Sequence, residues 1–355
     1  MKNLRILSIE TTCDDTGISF LECNPKRIKI LFNFLLSQDK LHQKYGGIVP
    51  HLAGQQHKKN LRKGLEKIMN KLKIKSLNKV FDYFVFANCP GLMPCLIAGK
   101  EFVQLLSILT KKSIIPVNHI QAHIYSPFIS AEPNSTSYFR IRQIKFPIIC
   151  ITVSGGHTRL ILIEDYFKEK ILGRSLDDSA GEALDKASRM LKLDSLGGSA
   201  LEKAAKSGNP KKFNFPRPMT KTVNYDFSFS GLKTALLYQI KKMKSWEKEK
   251  NNLAASFQKA VIDTLIEKTT RAVIEYKAES VFLTGGVSKN KALQEELRNV
   301  LKKFSKTKLF FAPQGLRSDN AVMIGFLGYL KLWKKEESVS KNWDEIEVRA
   351  KDMCE

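Results

Sequence analysis

Two histidines, His119 and His123, lie four residues apart in the stretch His-Ile-Gln-Ala-His. On a helix, residues at this spacing share a face, so both imidazoles could bind one metal ion. Two histidines also occur at this spacing by coincidence, and a third ligand must come from elsewhere in the chain. A zinc protease would have glutamate directly after the first histidine as its general base. Because Ile120 stands there, the spacing disfavours proteolysis.

Two polar turns, each between apolar runs, suggest phosphate binding. The first is residues 10–17, between runs at 4–9 and 18–21; the second is residues 154–158, between runs at 148–153 and 160–163. Each pattern predicts a β-hairpin whose turn offers backbone N–H groups and hydroxyls to a phosphate. An ordinary hairpin turn would explain either one alone. The repetition favours a function and suggests two related domains that face each other across a cleft.

Three further segments contain residues that could bind a ligand or could simply form a turn or start a helix. Residues 281–290 read as a strand, then Gly285-Gly286, then a helix, which suits a nucleotide or an ordinary tight turn. Residues 177–186 bring Asp178, Glu182 and Asp185 together, where carboxylates could bind magnesium or ribose hydroxyls, or favour a helix N-terminus. In residues 317–321, Asp319 or Asn320 could cap the helix that follows.

Strand and helix patterns alternate along the chain and predict an α/β protein. Helices are predicted at 55–73, 94–110, 180–192, 253–276 and 289–304, strands at 80–87, 113–117 and 280–284, and a long structured loop at 207–231. The expected domains are 1–135 and 136–319. We also expect a helix at 320–335 that packs back on the first domain and a charged peripheral tail at 336–355.

Composition narrows the class of protein. The net charge of +24 fits RNA binding, although a lysine-rich chain also follows from an AT-rich coding sequence. The 6 cysteines form no Cys-x-x-Cys pair, which fits a reducing compartment. Apolar runs of 18 residues without charges do not occur, so we expect no membrane span and a cytoplasmic location.

Taken together, these segments resemble one family in order and spacing. The chain is similar to the TsaD family of tRNA threonylcarbamoyladenosine biosynthesis over roughly residues 4–330. The resemblance is carried by residues 8–15, 45–50, 118–123, 153–158, 177–186, 215–219, 227–234, 285–288 and 318–320. The run from Phe227 to Thr234 and the histidine pair are its most specific parts.

The resemblance implies a fold of two duplicated actin-like (ribonuclease H-like) domains around a nucleotide cleft, as in sugar kinases and heat-shock ATPases. It implies an acyltransferase that moves a threonylcarbamoyl group from threonylcarbamoyl-adenylate to the N6 amine of adenosine 37 in tRNAs that read codons starting with A. It also implies two partner proteins, a degenerate TsaB-like paralogue and a small TsaE-like ATPase.

The family's functional residues carry over to positions in this chain. The implied metal ligands are His119, His123 and Asp319, holding iron or zinc, with Fe²⁺ the expected ion. The implied catalytic residues are Asp14 and Asp15. The implied adenylate-binding residues are Thr152, Val153, Ser154, Gly155, Gly156, Asp185, Gly198 and Asn290.

Some positions depart from the family pattern. Glutamate is usual where Asp15 stands, and Glu-Gly is usual where Gln121-Ala122 stand. Two other functions therefore stay open: a kinase or ATPase of the same superfamily, and a scaffold without catalytic activity. The histidine pair and Asp319 speak against both.

Overall fold

The structure, a computed structural model, describes residues 3–45, 47–133, 135–193, 197–335 and 342–351. The chain divides into two compact units. Unit 1 is Met1–Gln143 together with Ser318–Glu355, and unit 2 is Ile144–Arg317. Unit 1 is therefore built from both ends of the chain, with unit 2 inserted between them.

The helices and strands alternate as the apolar patterns indicate. The strands are β1 (Leu4–Glu10), β2 (Asp15–Cys23), β3 (Arg27–Ser37), β4 (Tyr83–Cys89), β5 (Ile114–Asn118), β6 (Ile129–Ala131), β7 (Tyr138–Ile141), β8 (Ile148–Val153), β9 (Thr158–Asp165), β10 (Lys168–Arg174), β11 (Ser280–Thr284) and β12 (Lys308–Phe310). The α-helices are α1 (Asp39–Gln43), α2 (Pro50–Lys71), α3 (Met93–Thr110), α4 (His119–Tyr125), α5 (Ala180–Met190), α6 (Gly198–Ala205), α7 (Ser230–Lys241), α8 (Lys250–Glu275), α9 (Lys291–Leu301) and α10 (Ala321–Trp333).

Unit 1 is organised around a sheet of order β5-β4-β1-β2-β3-β7-β6. The first three strands of the chain pair antiparallel, and β4 and β5 join them in parallel beside β1. Successive side chains of β1 point to opposite faces of this sheet. Leu7 and Ile9 therefore share one face, where they join a core that includes side chains of α2 and α3.

Helix α10 covers the other face of the sheet in unit 1. Gly325 lies so close to this face that a Cβ atom there would be 2.5 Å from Leu21 Cδ1 and 2.7 Å from Ser8 Oγ. Only glycine allows the backbone of α10 to approach β1 and β2 this closely. As a result, residue 319, which directly precedes the cap of α10, is held at the ends of the central strands.

Unit 2 repeats the strand plan of unit 1. Its sheet has the order β10-β9-β8-β11-β12, with β8, β9 and β10 antiparallel and β11 and β12 parallel to β8. In unit 1 the equivalent order is β3-β2-β1-β4-β5. Both predicted hairpins, β1–β2 and β8–β9, thus open the same five-stranded arrangement, which confirms the duplication inferred from the sequence.

The described residues after α10 pack within unit 1 along α3 and the turn after β4. Residues 336–341 and 352–355 of the predicted tail lie outside the described residues. Within 342–351, Ile346 is buried in the core, and Gln104 Nε2 donates to the carbonyl of Trp343 at 2.7 Å. The backbone N–H groups of Arg349 and Gly91 donate to the carbonyls of Asn88 and Ala350 at 3.0 and 3.2 Å.

Helix α3 is, among the described residues, the one helix long and apolar enough to cross a membrane by length and composition. It contains Lys100 and Glu101, and it packs against α2 and β4. A buried core helix of a globular protein has the same properties. The packing of α3 therefore agrees with its role as a core element of unit 1.

Candidate metal centre and nucleotide pocket

Helix α4 starts immediately after β5 and presents both predicted histidines on one side. The side chain of Asn118 caps this helix by accepting a hydrogen bond from the backbone N–H of Gln121 at 3.0 Å. The rings of His119 and His123 are 4.7 Å apart between centroids and nearly perpendicular, at 88°. Both side chains are buried, so the cap fixes a pair of imidazoles inside unit 1.

Asp319 meets these imidazoles from the far end of the chain. Its Oδ1 atom is 3.0 Å from His123 Nε2 and 3.6 Å from His119 Nε2. One ligand atom from each of the three residues lies within 4.8 Å of the others. The next residue, Asn320, caps α10 by accepting from the N–H of Met323 at 2.8 Å, which holds Asp319 at this place.

The donor set fits a divalent transition metal. Two neutral imidazole nitrogens and one carboxylate suit iron or zinc, and with open positions they form the donor set of non-haem iron(II) sites. The fit also requires that Nδ1 of a ligating histidine carry its proton, so that Nε2 is free for the metal. His119 meets this condition through a residue to which the sequence analysis gave no role.

That residue is Glu10, at the end of β1. Its Oε2 lies 2.8 Å from His119 Nδ1, and its Oε1 accepts from Thr12 N at 2.7 Å and Thr12 Oγ1 at 2.5 Å. Burial lowers the pKa of His119, but the charges of Glu10 and Asp319 outweigh it and raise the pKa to about 9, so a metal ion bound at Nε2 would displace a proton from that atom. The sequence offered one signal that could have identified Glu10. It is an acidic residue at the end of an apolar strand, and buried acids are rare without a partner.

Of the predicted catalytic residues, Asp14 lies at the end of the turn that follows Glu10, and Asp15 is the first residue of β2. Asp15 is half-buried, and this burial, with the charge of Asp14 and smaller contributions from Asp319 and Asp39, raises its pKa to about 6. Burial also raises the pKa of Asp14. This segment therefore holds a carboxylate whose pKa lies above the usual value for aspartate.

Unit 2 contains a cavity of about 250 Å³ between the β8–β9 turn and the starts of α5, α6 and α9. Four of the predicted adenylate-binding residues line it: Gly155, Asp185, Gly198 and Asn290. Asp185 Oδ1 accepts from the N–H of Gly198 at 2.5 Å, and Asn290 caps α9. Helix N-termini and glycines are suited to a nucleotide, because the helix dipole favours a phosphate and glycine lets it approach the backbone closely.

The other four predicted residues do not line this cavity. Thr152 and Val153 are buried in β8, where Thr152 Oγ1 bonds Thr284 Oγ1 at 2.9 Å. Ser154 closes the hairpin turn with His157, and Gly156 has open space around it. Among residues 152–156, Gly155 is thus the one that lines the cavity.

The start of α5 packs against the β8–β9 turn and is hydrogen-bonded to it. Ser179 Oγ donates to the carbonyls of Gly155 and Ser154 at 2.7 and 3.1 Å. A Cβ atom on Gly181 would lie 2.3 Å from the Ser154 carbonyl oxygen and 2.8 Å from Gly155 N. The turn and the helix are in direct backbone contact, so their positions depend on each other.

The acidic stretch has mixed roles. Asp178 and Glu182 both pair with Lys186, at 2.6 and 2.8 Å, and Asp177 accepts from Ser228 and Ser230 at the start of α7. Asp185 is the member that faces the cavity. Gly181 and Leu184 of the same stretch also line the cavity, so the stretch contributes both to helix starts and to the cavity wall.

Comparison with known proteins finds one family and one fold. A model of the family "TsaD: tRNA N6-adenosine threonylcarbamoyltransferase" matches residues 29–326. The proteins of that name from Thermotoga neapolitana and Thermosipho melanesiensis are 40% and 41% identical, covering 92% and 91% of this chain and 94% of each relative. The one from Fervidobacterium nodosum is 36% identical and covers 96% of this chain and 97% of its own.

Solved structures agree on the fold. Component A of (R)-2-hydroxyglutaryl-CoA dehydratase from Acidaminococcus fermentans is 14% identical with a TM-score of 0.51, covering 92% of this chain and 98% of its own. HypF from T. kodakarensis is 15% identical with a TM-score of 0.60, covering 94% of this chain and 48% of its own. At these identities the likeness shows the fold alone, which is the actin-like one.

Proposed function

The chain belongs to the TsaD family of tRNA N6-adenosine threonylcarbamoyltransferases, and from this we propose how its own residues carry out the reaction. The reaction transfers the threonylcarbamoyl group of threonylcarbamoyl-adenylate to the N6 amine of adenosine 37 in tRNAs that read codons starting with A. A nitrogen–carbon bond forms, and the carbon–oxygen bond to the phosphate breaks with its electron pair leaving on AMP. The N6 amine loses one proton.

We assign metal binding to His119, His123 and Asp319. Their convergence from sites far apart in the chain is the observation that supports this best. Iron, as Fe²⁺, suits this donor set, and zinc accepts the same ligands. A bound divalent cation would supply Lewis acidity toward an oxygen of the carbamoyl group.

Asp15 is assigned to the proton of the N6 amine, with Asp14 beside it. An exocyclic amine is a poor nucleophile, so orientation and removal of its proton decide the rate. The cavity of unit 2 is assigned to the adenylate, with Gly155, Asp185, Gly198 and Asn290 as contacts. Thr152, Val153, Ser154 and Gly156 then act by shaping the strand and turn that carry Gly155.

The proposed partners are tRNA, a TsaB-like paralogue and a TsaE-like ATPase. The excess of Lys and Arg over Asp and Glu, 59 against 35, supports contact with the tRNA backbone. On α3, Leu105, Ile108 and Leu109 are each more than half exposed and form an apolar face of the kind that binds another protein. We also propose a cytoplasmic location.

Reconstitution tests the function directly. The purified chain is combined with both partners, threonylcarbamoyl-adenylate and unmodified tRNA, and the tRNA is digested and its nucleosides are analysed. We expect modified adenosine in amounts that grow with time and depend on this chain. Unmodified tRNA under conditions where a relative from Thermotoga neapolitana gives full modification would overturn the proposal.

Replacing Glu10 by glutamine is expected to weaken metal binding about 10- to 100-fold. Glu10 accepts from Thr12 and His119 with two oxygens, whereas glutamine has one oxygen and an NH₂ group. An NH₂ group facing His119 Nδ1 would move the ring proton to Nε2 and block the metal. Titration of the apo-protein with Fe²⁺ or Zn²⁺ measures this. Glu22→Gln, at the opposite end of the β1–β2 pair beside Arg5, should bind metal as the parent does.

Replacing Gly181 by alanine is expected to weaken adenylate binding about 10- to 100-fold while leaving metal content unchanged. The new methyl group would overlap the Ser154 carbonyl, and relieving such an overlap costs about 1–3 kcal/mol. Calorimetry with a non-hydrolysable adenylate analogue measures the loss. Gly315→Ala, also in unit 2 but with open space around it, is the matched control. Equal affinity in both variants would remove the α5 start from the binding site.

A further inference from the structure

The turn between β1 and β2 is held by three consecutive backbone carbonyls. The Thr12 carbonyl accepts from Leu92 N at 2.8 Å, and the Asp14 carbonyl accepts from Gln38 N at 3.0 Å. Between them, the Cys13 carbonyl accepts from His57 Nε2 at 2.9 Å. The middle contact, directly before the two aspartates, is the one of these three made by a side chain.

The hydrogen bonds of His57 fix its tautomer. This side chain lies on α2 and is fully buried. Because a carbonyl oxygen can only accept, Nε2 must carry the proton that points to Cys13. Nδ1 lies 2.8 Å from Thr16 Oγ1 and 3.3 Å from Gln38 Nε2, and an amide nitrogen can only donate. Nδ1 is therefore the acceptor, and the ring is neutral.

The donor-to-acceptor direction of these hydrogen bonds is the same for the residues behind His57, which lie farther from the turn. The backbone N–H of Val49 donates to His42 Nδ1 at 3.3 Å, and His42 Nε2 lies 3.2 Å from Gln38 Oε1, which can only accept. Gln38 then donates to His57, and His57 donates to Cys13. On the other side, Asn60 Nδ2 donates to Thr16 Oγ1 at 3.0 Å, so that the hydroxyl proton of Thr16 is available to His57.

Donors in one direction polarise one another, so each bond in such a series strengthens the next. Every buried polar group in it has a partner, which makes a single arrangement of the rings favourable. Reversing His57 would place two acceptors, Nε2 and the Cys13 carbonyl, face to face. The series therefore acts as a fixed support for the turn rather than as an adjustable contact.

We propose that His57 is a positioning residue for the Asp14–Asp15 turn, and that the series His42–Gln38–His57 fixes the tautomer in which Nε2 donates to the Cys13 carbonyl. His57 acts through the backbone of the turn, because its hydrogen bonds go to Cys13, Thr16 and Gln38. The inference rests on the proposed function in one respect, because the turn matters for the rate only if its aspartates take part in transfer.

Two substitutions at one position test this. The Nε2 atom of glutamine reaches the place of histidine Nε2, so His57→Gln keeps a donor for Cys13, whereas His57→Phe fills the space without one. We expect His57→Phe to lower kcat about 10- to 100-fold, with KM for tRNA and metal content unchanged, and His57→Gln to stay within about threefold of the parent. His51→Phe, on the exposed side of the same helix, should leave transfer unchanged.

Spectroscopy on the unmodified protein provides a measurement that does not depend on folding of a variant. The ¹⁵N shifts of the His57 ring should show a protonated Nε2 and an unprotonated Nδ1. The opposite tautomer would overturn the inference, and so would equal kcat values for His57→Gln and His57→Phe in folded, metal-loaded protein. If the parent protein itself fails to modify tRNA, the proposed function fails while the tautomer result still stands or falls by itself.

Discussion

Replacing His119 by alanine is expected to remove both the bound metal and all measurable threonylcarbamoyl transfer. The substitution deletes one of three converging ligands, and the remaining pair, His123 and Asp319, lacks the third donor that a catalytic metal site uses. It also leaves Glu10, which is only 1% exposed, without its imidazole partner. A buried carboxylate that loses such a partner costs about 1–3 kcal/mol, so the variant should also melt earlier.

The measurements are metal content per chain and modified adenosine per tRNA after reconstitution. Circular dichroism establishes that the variant is folded at the assay temperature. His51→Ala, which removes an exposed imidazole, is the matched control and should retain metal and activity. Transfer by folded, metal-free His119→Ala at the parent rate would disprove the metal's role in the reaction.

Replacing Asp15 by asparagine is expected to lower kcat about 100- to 10,000-fold, which is the usual contribution of a general base. Asparagine keeps the shape of the side chain, but its amide cannot accept a proton in the pH range of the assay. In the parent protein, burial raises the pKa of Asp15 to about 6. Transfer should therefore fall about tenfold for each pH unit below 6, as the carboxylate becomes protonated. The residual rate of the asparagine variant should lack this dependence.

Two variants serve as controls for Asp15. Asp15→Glu restores the residue usual in the family and keeps a carboxylate, so it should retain transfer with a similar pH profile. Asp39→Asn removes a neighbouring negative charge that helps to raise the pKa of Asp15. Its profile should therefore move to lower pH with the plateau unchanged. A pH profile of Asp15→Asn identical to that of the parent would assign the proton transfer to another group.

Periodicity in the sequence was enough to find most of the secondary structure. The predicted strand at 280–284 is β11, and the predicted helix at 253–276 is α8 with a start at Lys250. Helix α2 starts at Pro50 instead of 55, because proline and glycine, here Pro50 and Gly54, usually mark a break in a helical pattern. Strand β3 was not predicted, since it combines Arg27, Lys29 and Asn33 with partly exposed apolar residues.

The residues of the candidate site likewise fall into those that a sequence pattern identified and those that it did not. Helical spacing identified His119 and His123, but Asp319 came from the family resemblance, because no local pattern links it to residues 196 positions earlier. Glu10 was missed because its role depends on the position of α4, which the strand alone does not determine. The family resemblance assigned residues 152–156 together to adenylate binding, yet only Gly155 of them lines the cavity, since Thr152 and Val153 are buried in β8.

The insertion of unit 2 into unit 1 has a consequence for how the protein is made. A ribosome synthesises the two histidines early, but the carboxylate that completes the centre emerges only after the whole of unit 2. Domains generally fold as they leave the ribosome, in order. The nascent chain thus cannot assemble all three proposed ligands until translation has nearly finished, so a prematurely terminated chain would lack the complete candidate centre.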